Sequence, residues 1–118
     1  MNGPELRLQD YLRHILKSIE RIHRYIEDME EIAFLQNEMA QDAVIRNIEI
    51  IGEASNNVMK CDPAFASSHD EIPWSTIYAM RNRVSHAYHK VDFELVWNLV
   101  QNELPALHHK ITVLLSGV

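Results

Sequence analysis

Cysteine occurs once, at Cys61, so no disulfide can form within the chain. A lone thiol fits a reduced, cytoplasmic setting. Glycine (3) and proline (4) are scarce, which argues against a turn-rich β architecture and for long helices. Long apolar runs are missing as well. From Glu5 onward charged residues alternate with Leu and Ile, so neither a membrane span nor a signal peptide is expected. Basic charge is in deficit: 11 Lys and Arg stand against 17 Asp and Glu, a formal net charge of -6. That excludes a generally basic nucleic-acid coat and confines any phosphate contact to a local patch. One further absence is local. No Asp or Glu occurs between Ile72 and Val91, although this stretch holds Arg81, Arg83, Lys90, His86, His89 and Tyr88.

What is present reads as helix. The chain has 118 residues, 47% of them hydrophobic, enough for one domain over residues 1–118 with its own core. Leu8, Leu12, Ile15, Ile19, Ile22 and Ile26 recur at spacings of 4 and 3 and predict a helix over about 5–28. The acidic run EDMEE, Glu27 to Glu31, reads as a solvated loop. A second helix is expected from about Asn37 to Met59. Its apolar residues sweep about half the circumference, so it is central or covered on two sides. Gly52 lies in that apolar arc, where glycine costs about 1 kcal/mol against alanine. Close approach of another backbone is the usual compensation. CDPAFASSHDEIP is the loop-like stretch, with Asp62-Pro63 suited to capping a short turn. A third helix is expected to begin near Pro73-Trp74 and to carry the carboxylate-free segment. Asp92 reads as the N-cap of a fourth helix, with Phe93, Val96, Trp97 and Val100 as its stripe. Pro105 should break or bend that helix. No repeat, low-complexity segment or strand alternation is present. The fold class is all-α: an up-down four-helix bundle whose last helix is kinked or split.

The chemistry lies in RNRVSHAYH. As continuous helix, this stretch puts Asn82, His86 and His89 on one face. Arg81, Ser85 and Tyr88 fall on the neighbouring face. Arg81 and His86 are then about 140° apart, so a site using both needs the helix to end near His86 or a second chain to complete it. A neutral imidazole can take a proton near neutral pH, and an arginine fork can hold phosphate oxygens. RNA carries its own nucleophile, the ribose 2′-hydroxyl. An imidazole base beside an arginine clamp is therefore a minimal ribonuclease that needs no metal or cofactor. A carboxylate in this stretch would repel phosphate and leave the arginine paired internally. The competing reading is an ordinary polar helix face.

RNRVSHAY follows the pattern Arg, four residues, His, one residue, Tyr, and resembles the HepT family within the HEPN superfamily. VIRNIEIIGEASNNV, IPWSTIYAMRN and VDFELVWNLVQNELPAL are similar to that family's flanking segments, in the same order. The resemblance implies a HEPN-like helical homodimer in which two Arg/His motifs meet in a cleft. It also implies a toxin of a type VII-like toxin–antitoxin pair, acting as a metal-independent endoribonuclease. Carried over, Arg81 and His86 are catalytic and Asn82 is a supporting polar residue. Tyr88 matches the tyrosine that a MntA-type nucleotidyltransferase antitoxin modifies with AMP. The rival expectation is a non-catalytic HEPN module that binds a nucleotide or a partner in the same cleft.

Other features carry less. Arg83, His89 and Lys90 are candidates for holding RNA, although each also reads as surface charge. Glu20 and His23 have the Glu-x-x-His spacing of di-metal bundles, but such sites need two such motifs and two more glutamates, so no metal site is expected. His108-His109 reads as a solvated pair. Glu49 and Glu53 read as a solvated face or as partners for Arg46.

Overall fold

A computed structural model describes residues 4–86 and 90–117. Helix α1 (Pro4–Ile26) is followed by α2 (Glu31–Leu35), α3 (Glu38–Cys61), α4 (Pro63–Ser68), α5 (Trp74–Tyr78), α6 (Met80–Arg83), α7 (Phe93–Asn102) and α8 (Leu104–Ser116). The fold is all-α. Among the described residues the only β feature is an isolated antiparallel bridge between Ser85 and Val91. No helix there is long and apolar enough to cross a membrane.

All six members of the α1 stripe are buried, and α1 packs mainly on α3 and also on α8. Helix α3 is central. Its wide apolar arc meets α1 on one side and α5 on another, with α2, α4 and α6 around it. Gly52 marks a close approach: a Cβ there would stand 3.2 Å from the Tyr78 carbonyl oxygen. The expected compensation is thus present, and the partner backbone is α5. Ser55 adds a hydrogen bond from its Oγ to the Trp74 carbonyl, 2.8 Å long and buried.

Local signals set several helix ends. Asn37 caps α3 by accepting from the Ala40 N–H at 2.9 Å. Asp62 caps α4, with Pro63 in its first turn, so the stretch expected to be loop is helical from Pro63 to Ser68. The last helix is split. Helix α7 ends at Asn102, and α8 restarts with Pro105 in its first turn, where the missing N–H of proline does no harm.

Two expectations need correction. The EDMEE run does not end in loop, because Glu31 opens α2. That short helix buries Phe34 against Trp97, with ring centroids 5.4 Å apart, and tertiary packing rather than length sustains it. The third helix is not one helix. It divides at Ala79 into α5 and α6, and α6 ends at Arg83.

Candidate active site

The end of α6 has a local cause. Ser85 donates its Oγ–H to the Arg81 carbonyl at 3.0 Å, the acceptor that its own N–H would use in a continuing helix. Its N–H instead bonds the Asn82 carbonyl at 3.1 Å. Such back-bonding by serine competes with helix propagation. Buried Met80 and Val84 anchor the turn on either side. Beyond it, the His86 N–H donates to the Lys90 carbonyl and the Asp92 N–H donates to the Val84 carbonyl, each at 2.7 Å. These bonds close a tight loop between α6 and α7. Asn82 and His86 therefore do not share a helix face. Tyr88 and His89 lie outside the described residues.

Arg81 and His86 sit at the two ends of this turn. The Arg81 side chain is 30% exposed. Its Nη1 donates to Ser85 Oγ. Its Nε is buried without a hydrogen bond, and the nearest carboxylate, Glu49 Oε2 of α3, is 3.8 Å away. That is ion-pair range but beyond hydrogen-bond reach. His86 projects into solvent with its side chain 62% exposed. Its Nε2 lies 2.9 Å from Asp92 Oδ2. The other carboxylate oxygen of Asp92, Oδ1, caps α7 by accepting from the N–H groups of Glu94 and Leu95 at 3.0 and 3.1 Å. The Leu95 bond first, and then the His86 contact, hold the Asp92 carboxyl below its ordinary value of 3.8.

The two residues open into different spaces. Arg81 and Asn82 line a cleft of about 470 Å³ with Arg46, Glu49, Glu53 and Tyr78. His86 and Lys90 line another of about 450 Å³ with Leu35, Gln41 and Asp92. The clefts have no described lining residue in common. Arg83 faces neither. Its guanidinium grips Glu103 at the α7–α8 junction, with its shortest bond 2.9 Å.

The carboxylate-free segment is therefore not carboxylate-free in space, which corrects the expectation that its arginines stay unpaired. Glu49 reaches Arg81, Glu103 reaches Arg83, and Asp92 reaches His86. Glu49 meets Arg81 rather than Arg46. Glu20 pairs with His108 of α8, Nε2 to Oε2 at 2.8 Å, so His108 is not simply solvated. Among the described residues no three His, Cys, Asp or Glu side chains gather as a metal set. Three residues belong to the site that sequence reasoning left out of it: Ser85, Glu49 and Asp92. Only Asp92 had a usable signal, because a capping residue just past a short loop is carried back towards the loop's start.

The family model described as HepT-like, ribonuclease HepT-like, matches residues 15–114. Three relatives illustrate the likeness. The "Probable ribonuclease HepT" of Thermococcus cleftensis is 39% identical over 102 residues, 86% of this chain and 90% of that one. A protein of Methanocaldococcus jannaschii, named as a gamma-glutamylcyclotransferase and presumptive RNase, is 42% identical over 101 residues; the match covers 86% of this chain but only 44% of that one. A presumptive RNase of Caldanaerobacter subterraneus subsp. tengcongensis is 30% identical over 106 residues, 90% of this chain and 92% of that one. No solved structure matches the chain. A family match over most of the length, with the Arg81 and His86 motif inside the matched residues, means that the chain belongs to the HepT-like ribonuclease family.

Proposed function

We propose that this protein is a HepT-type toxin, an endoribonuclease that cleaves RNA with Arg81 and His86 and is silenced by AMP added to Tyr88 by a MntA-type nucleotidyltransferase. The observation that carries the catalytic reading is an exposed imidazole, anchored through Nε2, one tight turn from a half-buried guanidinium. Neutral His86 takes the proton of the 2′-hydroxyl. The 2′-oxygen bonds to phosphorus and the bond from phosphorus to the 5′-oxygen breaks. Arg81 stabilises the charge gathering on the phosphate. The leaving 5′-oxygen takes a proton from water or from a second imidazolium. The products are a 2′,3′-cyclic phosphate and a 5′-hydroxyl, and no step calls on a metal.

Two copies of the chain suit this chemistry better than one. Arg81 and His86 open into separate clefts, so a two-fold dimer could set the Arg81 of one copy against the His86 of the other and supply the second imidazole. The surplus apolar arc of α3 is no reason for dimerisation, since α1 and α5 already cover it. Exposed Ile32 and Met39, at 68% and 83%, are a better one. They lie two or three residues along the chain from Leu35 and Gln41, which wall the His86 cleft. The separation of the clefts also favours a second reading, a module that binds a nucleotide without cutting it.

His86→Ala and Arg81→Ala should each lower RNA cleavage by about 10²-fold or more, with unchanged helical circular dichroism. Cleavage should persist in EDTA and leave the cyclic phosphate, which mass spectrometry of the fragments reads directly. Inhibition by chelation, or equal cutting of DNA, excludes the mechanism. Nucleotide binding with no cleavage at any enzyme concentration selects the binding module.

A further inference from the structure

We infer that Asp92 is a positioning residue that selects the tautomer of His86 and so makes Nδ1 the catalytic base. The inference rests on the ribonuclease reading for its kinetic consequence, but its structural core can be tested apart from activity. Asp92 divides its carboxylate between two tasks. Oδ1 accepts two backbone N–H groups at the start of α7, from Glu94 and Leu95. Those donors are fixed by the helix, so the carboxylate cannot swing away without uncapping it. Oδ2 is thereby presented to His86 Nε2 at 2.9 Å. An ionised carboxylate only accepts. Nε2 must therefore carry the hydrogen, and the lone pair of the neutral ring is confined to Nδ1. That nitrogen has no hydrogen-bond partner among the described residues, so it is the position open to a 2′-hydroxyl. When Nδ1 takes the proton, the charge on the ring stands against the Asp92 carboxylate. The loop supports this geometry from below: the His86 N–H is tied to the Lys90 carbonyl and the Asp92 N–H to the Val84 carbonyl. The same two residues thus have both backbone and side chain held in place.

The cap makes a sharp test possible. In Asp92→Asn the carbonyl oxygen must keep facing the Glu94 and Leu95 N–H groups, because the amide nitrogen has no acceptor there. The amide NH₂ is then forced towards His86 Nε2. It donates to that nitrogen and drives the hydrogen to Nδ1, the wrong tautomer for a base at that atom. Asparagine and serine both cap helices as well as aspartate does, so neither substitution should unfold α7. We expect Asp92→Asn to lower the maximal cleavage rate of the full chain about 10²-fold or more, with KM little changed. Asp92→Ser, which keeps the cap but leaves the ring unanchored, should fall between this variant and the wild type. Ring ¹⁵N spectra at a pH where His86 is neutral should show Nε2–H in the wild type and Nδ1–H in Asp92→Asn. A wild-type ring in the Nδ1–H form overturns the inference. So does an Asp92→Asn variant with wild-type cleavage, or one whose loss only follows a fall in Tm. If the wild type cuts no RNA at all, the ribonuclease reading fails while the spectra still decide the tautomer.

Discussion

At Arg81 an incoming phosphate competes with Glu49. The guanidinium keeps Nη1 on Ser85 and has Glu49 3.8 Å from Nε. Both side chains are partly exposed, so water and salt weaken this pair, and such contacts are worth about 0.2–1 kcal/mol. Glu49→Gln removes the charge and keeps the shape. We expect it to tighten binding of a non-cleavable RNA by up to about fivefold at low salt, the upper end of what this energy allows. Fluorescence anisotropy across a salt series measures it. Weaker binding in this variant would mean that Glu49 aims Arg81 instead of competing for it. Arg83 differs, because its bidentate grip on Glu103 joins α6 to the α7–α8 junction. Nothing in residues 73–90 announces either pairing, since Glu49 arrives from α3 and Glu103 from the α7–α8 junction.

The start of α7 is where the site and the fold share a residue. Asp92 holds two backbone donors and His86 at once, and its carboxyl is held below the ordinary value of 3.8 chiefly by the Leu95 N–H. A carboxyl lowered on folding stabilises the native state above its unfolded value. That contribution is lost as pH falls through the lower folded value. Stability should therefore drop below about pH 3.8 as Asp92 protonates. In Asp92→Asn this part of the acid loss should be absent, so the difference in Tm between the two proteins narrows as pH is lowered from about 5 to about 2. Calorimetry across that range is the check. A constant difference would mean that Asp92 titrates alike in the folded and unfolded chain. Helix α7 is legible in the sequence through Asp92 and its apolar stripe, and the split after it through Pro105. The stop of α6 at Arg83 is not. Ser85 competes for the Arg81 carbonyl, and serine carries no signal strong enough to separate that outcome from a continuing helix.

For the whole molecule, the proposed dimer and its partner enzyme make one joint prediction. Light scattering should report two copies at micromolar concentration. Met39→Asp, at the most exposed of the described large apolar side chains, should shift the protein towards monomer and reduce cleavage with it. A monomeric wild type that still cleaves would mean that one chain completes the site. Co-expression with a MntA-type nucleotidyltransferase should add AMP to the wild type and none to Tyr88→Phe, which should keep its nuclease activity and escape neutralisation. Intact-mass analysis reads both, and AMP mapped to Tyr78 in the Arg81 cleft would move the control site there.

By itself the sequence determined the all-α class, the buried stripe of α1, the central place of α3 and the close approach at Gly52. It also marked the caps at Asp62 and Asp92 and the break at Pro105. These follow from interactions within about four residues, or from a periodicity that any long helix must satisfy. Only the tertiary structure decided that Arg81 and His86 open into separate clefts. It alone decided that Arg81, Arg83 and His86 of the carboxylate-free stretch each meet a carboxylate. The physical reason is range. Helix formation and capping are settled between near neighbours, whereas Glu49 reaches Arg81 because α3 packs against α6, and no local pattern encodes which charges that packing brings together.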